Sequence, residues 1–233
     1  MQQLTLDLSR PAPPSLDNFA PGRNTEAVAV LYAWLSDGVP ERCIYLWGPP
    51  GCGKSHLLRA AVEFAQRQQR AALYLRPQAI AELEDAAQLP TLIALDDIQE
   101  LDSAVQGRLF RLLHRVQEEG VQLLAAGGAA PAGLGLREDV RTRLAAGLVF
   151  QLHLLSDAEK AEALSSHAET RGITLAPELA EYLLQRERRD LASLMAVLDA
   201  VDRYSLQTKR PVTLPLLREV LRLAAEAPQP RPR

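Results

Sequence analysis

Apolar and polar positions along this chain fall into short blocks that switch between two periods. Residues 43–47 (C-I-Y-L-W), 71–75 (A-A-L-Y-L), 91–95 (T-L-I-A-L), 121–126 (V-Q-L-L-A-A) and 148–152 (L-V-F-Q-L) are apolar runs of strand length. Between them, Val105, Leu109, Leu112, Leu113 and Val116 recur at helical spacing across 103–119, and the segment from Lys54 to about Gln68 also reads as a helix. Asn24 is placed to cap a helix carrying Val28, Leu31, Tyr32 and Leu35 on one face, stopped near Gly38 and Pro40. Strands alternating with helices predict an α/β fold, an αβα sandwich around a five-stranded parallel sheet.

The pattern changes after about residue 155. Ser156 followed three residues later by Glu159 is a capping-box start, and from there only helices are predicted, over 157–170, 177–186, 191–206 and 213–225. Pro11, Pro13, Pro14 and Pro21 disfavour regular structure before residue 24. The expected organisation is therefore an extended arm over 1–23, an αβα domain over 24–154, a small all-α lid over 155–226 and a proline-rich tail over 227–233.

Composition narrows the class. The chain has 233 residues, of which 47% are hydrophobic and 24% charged, as in a globular protein with a real core. A net charge of -3 argues against gripping nucleic acid by bulk electrostatics. Two cysteines, Cys43 and Cys52, are too few for a disulfide framework and fit a reducing cytosol. There is no apolar stretch of membrane length and no basic leader ahead of an apolar run, so a cytoplasmic location without membrane partners is expected. His56, His114, His153 and His167 lack metal-ligand spacing, Trp34 and Trp47 read as packing residues, and the run Arg186–Arg189 reads as a solvated helix end.

The strongest chemical signal follows the first predicted strand. Gly48, Gly53, Lys54 and Ser55 fit G-x-x-x-x-G-K-S/T without a mismatch, between a strand and a helix. Glycines let backbone N–H groups turn towards phosphates, and the helix starting at Lys54 aims its positive dipole end at them. The expected ligand is ADP or ATP with Mg²⁺, held by Gly48, Pro49, Pro50, Gly51, Cys52, Gly53, Lys54, Ser55 and His56. Lys54 would supply a point charge and the Ser55 hydroxyl a metal ligand, whereas Cys52 is read as incidental to the loop. The apolar run Leu92–Leu95 then ends in Asp96 and Asp97. Asp96 would hold Mg²⁺ through water, and Asp97 would polarise an attacking water.

The order Leu16-Asp17-Asn18-Phe19, Gly22, Asn24, then G-P-P-G-C-G-K-S, then L-D-D-I-Q (Leu95 to Gln99) resembles the initiator clade of AAA+ proteins, typified by DnaA. The resemblance runs over residues 15–225 and implies the sheet domain and lid already read from the pattern. On this reading no room remains after the lid for the helix-turn-helix domain of DnaA, nor before residue 15 for its N-terminal domain. The segment Gln3, Leu4, Thr5, Leu6, Asp7, Leu8 looks instead like the Q-L-S/T-L-x-L peptide that binds the bacterial sliding clamp, the β subunit of DNA polymerase III. Alternating leucines on a short exposed peptide can fill an apolar cleft. The combination, with the stretch 134–160 and Leu154-Leu155-Ser156-Asp157 in particular, is similar to a clade member that inactivates DnaA.

The resemblance implies a mechanism. AAA+ neighbours complete each other's sites with an arginine that stabilises charge on the transferred phosphoryl group. Within Asp139-Val140-Arg141-Thr142-Arg143-Leu144, Arg143 takes the finger position, and Arg141 points elsewhere on a helix. Two departures follow. Gly128 stands where the family senses the γ-phosphate with a polar side chain, and Ala192 stands at the lid arginine position; Arg188 and Arg189 precede the helix cap Asp190. Weak intrinsic ATP hydrolysis is expected, with DnaA and the clamp as partners and DNA reached only through the clamp. A self-dimer that buries the clamp peptide is compatible with the sequence, as are a helicase-loader-like ATPase and a non-catalytic clamp adaptor.

Overall fold

The structure, a computed structural model, describes residues 12–84, 86–185 and 190–226. Gln3–Leu8, Arg188, Arg189 and the tail over 227–233 lie outside them. A 3-10 turn over Gly22–Asn24 leads into α1 (Thr25–Leu35). There follow β1 (Cys43–Trp47), α2 (Lys54–Arg67), β2 (Ala72–Leu75), the short α3 (Ala81–Glu84), β3 (Leu92–Leu95), α4 (Ser103–Glu118), β4 (Gln122–Gly127), α5 (Glu138–Ala145) and β5 (Leu148–Gln151). All pairings are parallel, and the strand order is β2-β3-β4-β1-β5. The apolar runs become strands because both sheet faces are covered, and every residue of β3 and β4 is buried.

Successive side chains of a strand point to opposite faces, which sorts the core into two layers. Ile44, Leu46, Ala94 and Leu124 join Leu31, Trp34, Leu57 and Leu58 beneath α1 and α2. Tyr45, Ile93, Leu95 and Leu123 join Leu109, Leu112, Val140 and Leu144 beneath α4 and α5. Trp34 is fully buried as a packing residue, and its indole N–H donates to the Glu41 carbonyl at 2.6 Å. The buried Gln122 donates to the Trp34 carbonyl at 2.7 Å and accepts from Arg70, which also donates to the Leu35 carbonyl at 2.8 Å. One buried polar side chain thus ties the end of α1 and the turn after α2 to β4.

The segment before α1 differs from a free arm. Leu16 and Phe19 pack against the α1–α2 core layer, and contacts start the αβα unit at Pro14 rather than at residue 24. The expected cap at Asn24 is also corrected. Its side chain makes no cap bond to α1. It is 3% exposed, accepts from His153 N at 2.7 Å and donates to His153 O at 3.0 Å. A buried amide that pairs with both backbone polar groups of His153 satisfies its own donor and acceptor, which one orphan helix donor would not.

Contacts divide the chain again between Leu154 and Leu155. The helical unit comprises α6 (Asp157–Glu169), α7 (Pro177–Leu184), α8 (Leu191–Thr208) and α9 (Leu214–Glu226). The capping box forms as the sequence suggests: Ser156 Oγ accepts from Glu159 N at 3.3 Å, and Glu159 Oε2 accepts from Ser156 N at 2.7 Å. Asp190 caps α8 by accepting from Ser193 N at 2.8 Å. Leu164, Leu183, Leu198, Val201, Leu216 and Val220 form the separate core of this unit. Among the described residues no helix is long and apolar enough to cross a membrane.

Candidate functional site

The carboxyl ends of parallel strands are where an open α/β sheet collects its ligand-binding groups. Here β1 ends in the glycine loop, β3 in the acid pair, and β4 in Gly127 and Gly128. Gly48 closes against the residue after β5 so tightly that a Cβ there would run into the Leu152 carbonyl oxygen. Gly53 has φ +98°, and a Cβ there would sit 2.5 Å from the Phe19 ring. Only glycine allows both this backbone turn and this close approach. The loop therefore keeps its backbone bare up to the first turn of α2.

Lys54 Nζ donates to the carbonyls of Gly48 at 2.7 Å and Pro49 at 3.0 Å, so the ammonium stands inside the loop. Cys52 Sγ lies 3.8 Å from the same nitrogen and is buried. Ser55 is exposed on the first turn of α2. Burial pushes the Cys43 thiol up to about 12, which removes it as a nucleophile near neutral pH. A helix N-terminus, an ammonium and a hydroxyl beside a glycine cradle fit the phosphates of a nucleotide. A hydroxyl and a carboxylate are the oxygen ligands that Mg²⁺ prefers.

The segment before α1 walls one side of this loop. Ser15 and Asn18 cap each other, with Ser15 N donating to Asn18 Oδ1 at 2.9 Å and Asn18 N donating to Ser15 Oγ at 3.2 Å. The Phe19 ring lies 5.4 Å from the His56 ring, centroid to centroid. His56 Nε2 faces the Ser15 carbonyl at 3.0 Å and must carry its hydrogen to make that bond. Burial lowers the pKa of His56, and the Ser15 bond offsets this in part. His56 thus holds the wall in place.

Asp96 is 1% exposed, and both of its oxygens are engaged. Oδ1 accepts from Asp97 N at 3.0 Å, and Oδ2 accepts from the Tyr74 hydroxyl at 2.7 Å. The Arg59 guanidinium stands 4.7 Å over the Tyr74 ring, and both it and Arg76 neighbour the Tyr74 hydroxyl. Burial and the Asp96 carboxylate raise the pKa of Tyr74 and keep it a donor. Asp97 adopts a left-handed backbone, φ 50° and ψ 42°, and accepts from Gln99 Nε2 at 3.1 Å. Tyr74 and Arg59 went unread in the sequence. Arg59 follows Ser55 by one helical turn, a signal that was there; Tyr74 reaches Asp96 only because β2 pairs with β3.

Gly128 is exposed, and its N–H donates to Gln99 Oε1 at 3.0 Å. At Gly128 the chain just after β4 thus offers backbone only. Ala192 is exposed on the first turn of α8.

The arginine segment folds as α5, against α4. Arg143 lies with its guanidinium 5.0 Å over the Phe110 ring and donates to Gln117 Oε1 at 3.3 Å. Arg137 approaches the same ring at 5.8 Å and pairs with Asp139 at 2.7 Å. Arg141 points away from that ring, as helical geometry requires: its Nη1 donates to the Ala132 carbonyl at 3.2 Å, and its buried Nε has no hydrogen-bond partner.

Residues 157–221 match the family model described as Hda, lid domain. The match lies within the helical unit, which is thus similar to the Hda lid domain. Domain III of the Thermotoga maritima replication initiation protein DnaA is 18% identical, with 95% of this chain and 100% of that one covered at a TM-score of 0.70. AMPPCP-bound DnaA from Aquifex aeolicus is 21% identical, with 84% and 69% covered at 0.67. The RuvB Holliday junction branch migration motor of Thermotoga maritima is 20% identical, with 91% and 72% covered at 0.63. At these identities the structural likenesses establish the fold alone, one shared with DnaA domain III and with RuvB.

Proposed function

We propose that this chain is a negative regulator of chromosomal replication initiation. Held at the sliding clamp by Gln3–Leu8, it supplies Arg143 to ATP bound on DnaA and promotes its hydrolysis. The observation that carries this reading is an Hda-family lid behind a DnaA-like fold whose α5 offers Arg143 beside Phe110. The guanidinium is planar by itself, and resting on an aromatic face restricts its side chain, so less order is lost when it meets a phosphate.

The chain's own loop would hold ADP or ATP. Lys54 and the start of α2 would meet the phosphates, and Ser55 and Asp96 would hold Mg²⁺, which neutralises phosphate charge when bound. Asp97 would orient a water. The backbone-only position at Gly128 supports slow turnover in this site. A donor of a finger needs no turnover of its own. Tethering to a clamp raises its effective concentration near DnaA on DNA, so a weak contact suffices.

The deciding experiment follows hydrolysis of ATP prebound to DnaA on clamp-loaded DNA. The intact chain is expected to accelerate it, by a factor that approaches the roughly 10³–10⁵ of arginine fingers. Arg143→Ala and deletion of residues 3–8 should each abolish the acceleration. No acceleration by the intact chain would sink the reading. Acceleration that survives Arg143→Ala would leave a clamp adaptor.

A further inference from the structure

Of the residues around the acid pair, Tyr74 has the most specific placement and no role in the reading above. It stands on β2, and the pairing of β2 with β3 brings it beside Asp96 on the adjacent strand. Its hydroxyl donates to Asp96 Oδ2 at 2.7 Å while the Asp97 backbone N–H donates to Oδ1 at 3.0 Å. Two donors, one on each oxygen, fix the plane of the carboxylate. Each oxygen keeps a further lone pair that can accept from a water molecule. The Tyr74 ring is itself held from above by Arg59, 4.7 Å from its centroid. Arg59 shares one face of α2 with Ser55, four residues before it. The ring thus joins the helix that carries the candidate metal-ligating hydroxyl to the strand that carries the candidate metal acid.

We infer that Tyr74 is a positioning residue for a divalent cation bound with nucleotide, acting through the orientation of Asp96. This rests on the reading of the loop and Asp96 as a metal-nucleotide site. Partners that orient a ligating carboxylate contribute strongly to metal affinity, and their removal costs about 10- to 100-fold. A purely structural role is the competing account, since a carboxylate that is 1% exposed needs donors in any case. The two accounts differ in what they couple to: the structural role changes stability, the positioning role changes metal affinity.

The test uses the full chain, ADP and Mn²⁺, with free Mn²⁺ followed by electron paramagnetic resonance. Tyr74→Phe removes only the hydroxyl. The expected result is Mn²⁺ affinity of the ADP complex weaker by about 10- to 100-fold, with ADP affinity in EDTA unchanged. Unchanged Mn²⁺ affinity in a variant that binds ADP, with or without a lower melting temperature, overturns the inference. Wild-type chain that binds no ADP overturns the nucleotide-site reading and this inference with it. Should Tyr74→Phe fail to fold, Arg59→Gln loosens the same ring from an exposed position, and no loss of Mn²⁺ affinity there is equally fatal.

Discussion

The side-chain oxygen of Gln99 accepts the backbone N–H of Gly128 at 3.0 Å. The same side chain donates to Asp97 Oδ1 at 3.1 Å, so the acid and the end of β4 are joined through one carboxamide. The contact occupies the backbone N–H of Gly128, the residue read from the sequence as standing where the resembled family carries a polar sensor. A Cβ added at Gly128 would meet nothing within 4 Å. Gly128→Asn is therefore expected to fold normally and to raise intrinsic ATP turnover by about tenfold, the effect of roughly 1.4 kcal/mol of added transition-state stabilisation. Single-turnover hydrolysis by the purified chain reads this directly, and an unchanged rate would show that the missing sensor does not limit it.

Two arginines separated by one residue make opposite predictions. Arg141 spends its Nη1 on the Ala132 carbonyl and has a buried Nε, whereas Arg143 rests over Phe110 and Gln117. Arg141→Ala should lower the melting temperature because packing and a backbone contact are lost together. Arg143→Ala should leave it nearly unchanged, within the roughly 0.5 kcal/mol typical of surface changes, yet remove the stimulation of DnaA-bound ATP hydrolysis. Loss of stimulation in Arg141→Ala at full stability, with Arg143→Ala active, would reverse the assignment.

What the sequence made legible was local. The run Leu92–Leu95 ending in two acids, the glycine loop before Lys54, and the Ser156–Glu159 box each declare themselves within a few residues, because the chemistry they need is short-ranged. Contacts across the fold were not legible. Asn24 has the composition of a cap, and only the approach of the chain after β5 shows that its amide belongs to His153. Tyr74 is an ordinary strand residue until β2 lies beside β3. Phe110 counts as one apolar position of α4 until Arg137 and Arg143 converge on its ring.

The corrected role of Asn24 can be tested against the cap it replaced. As a helix cap, Asp serves as well as Asn. Facing His153, it cannot, because the position must donate to a carbonyl as well as accept from an N–H. Asn24→Asp should therefore destabilise the chain. Asn24→Ala should cost about 2 kcal/mol for two lost hydrogen bonds, a fall in melting temperature of about 4–8 °C. Thermal unfolding of both variants decides the matter; a neutral Asn24→Asp would restore the cap.

His56 makes the stability of the αβα unit depend on pH in a definite direction. Burial lowers its pKa in the folded chain below the ordinary value of 6.5, and only part of that is returned by the bond to Ser15. The unfolded chain therefore binds a proton more readily than the folded one as pH falls through about 6.5. The stabilising contribution of the neutral ring is present above that value and is lost progressively towards the lower folded pKa. His56→Gln removes the titrating group while keeping an N–H donor. The melting temperature of the wild-type chain relative to His56→Gln should accordingly fall between pH 7.5 and pH 5. A difference that stays constant over this range would mean that His56 does not titrate differently in the folded and unfolded chains, and the wall formed by Ser15 and Phe19 would then hold without any dependence on its charge.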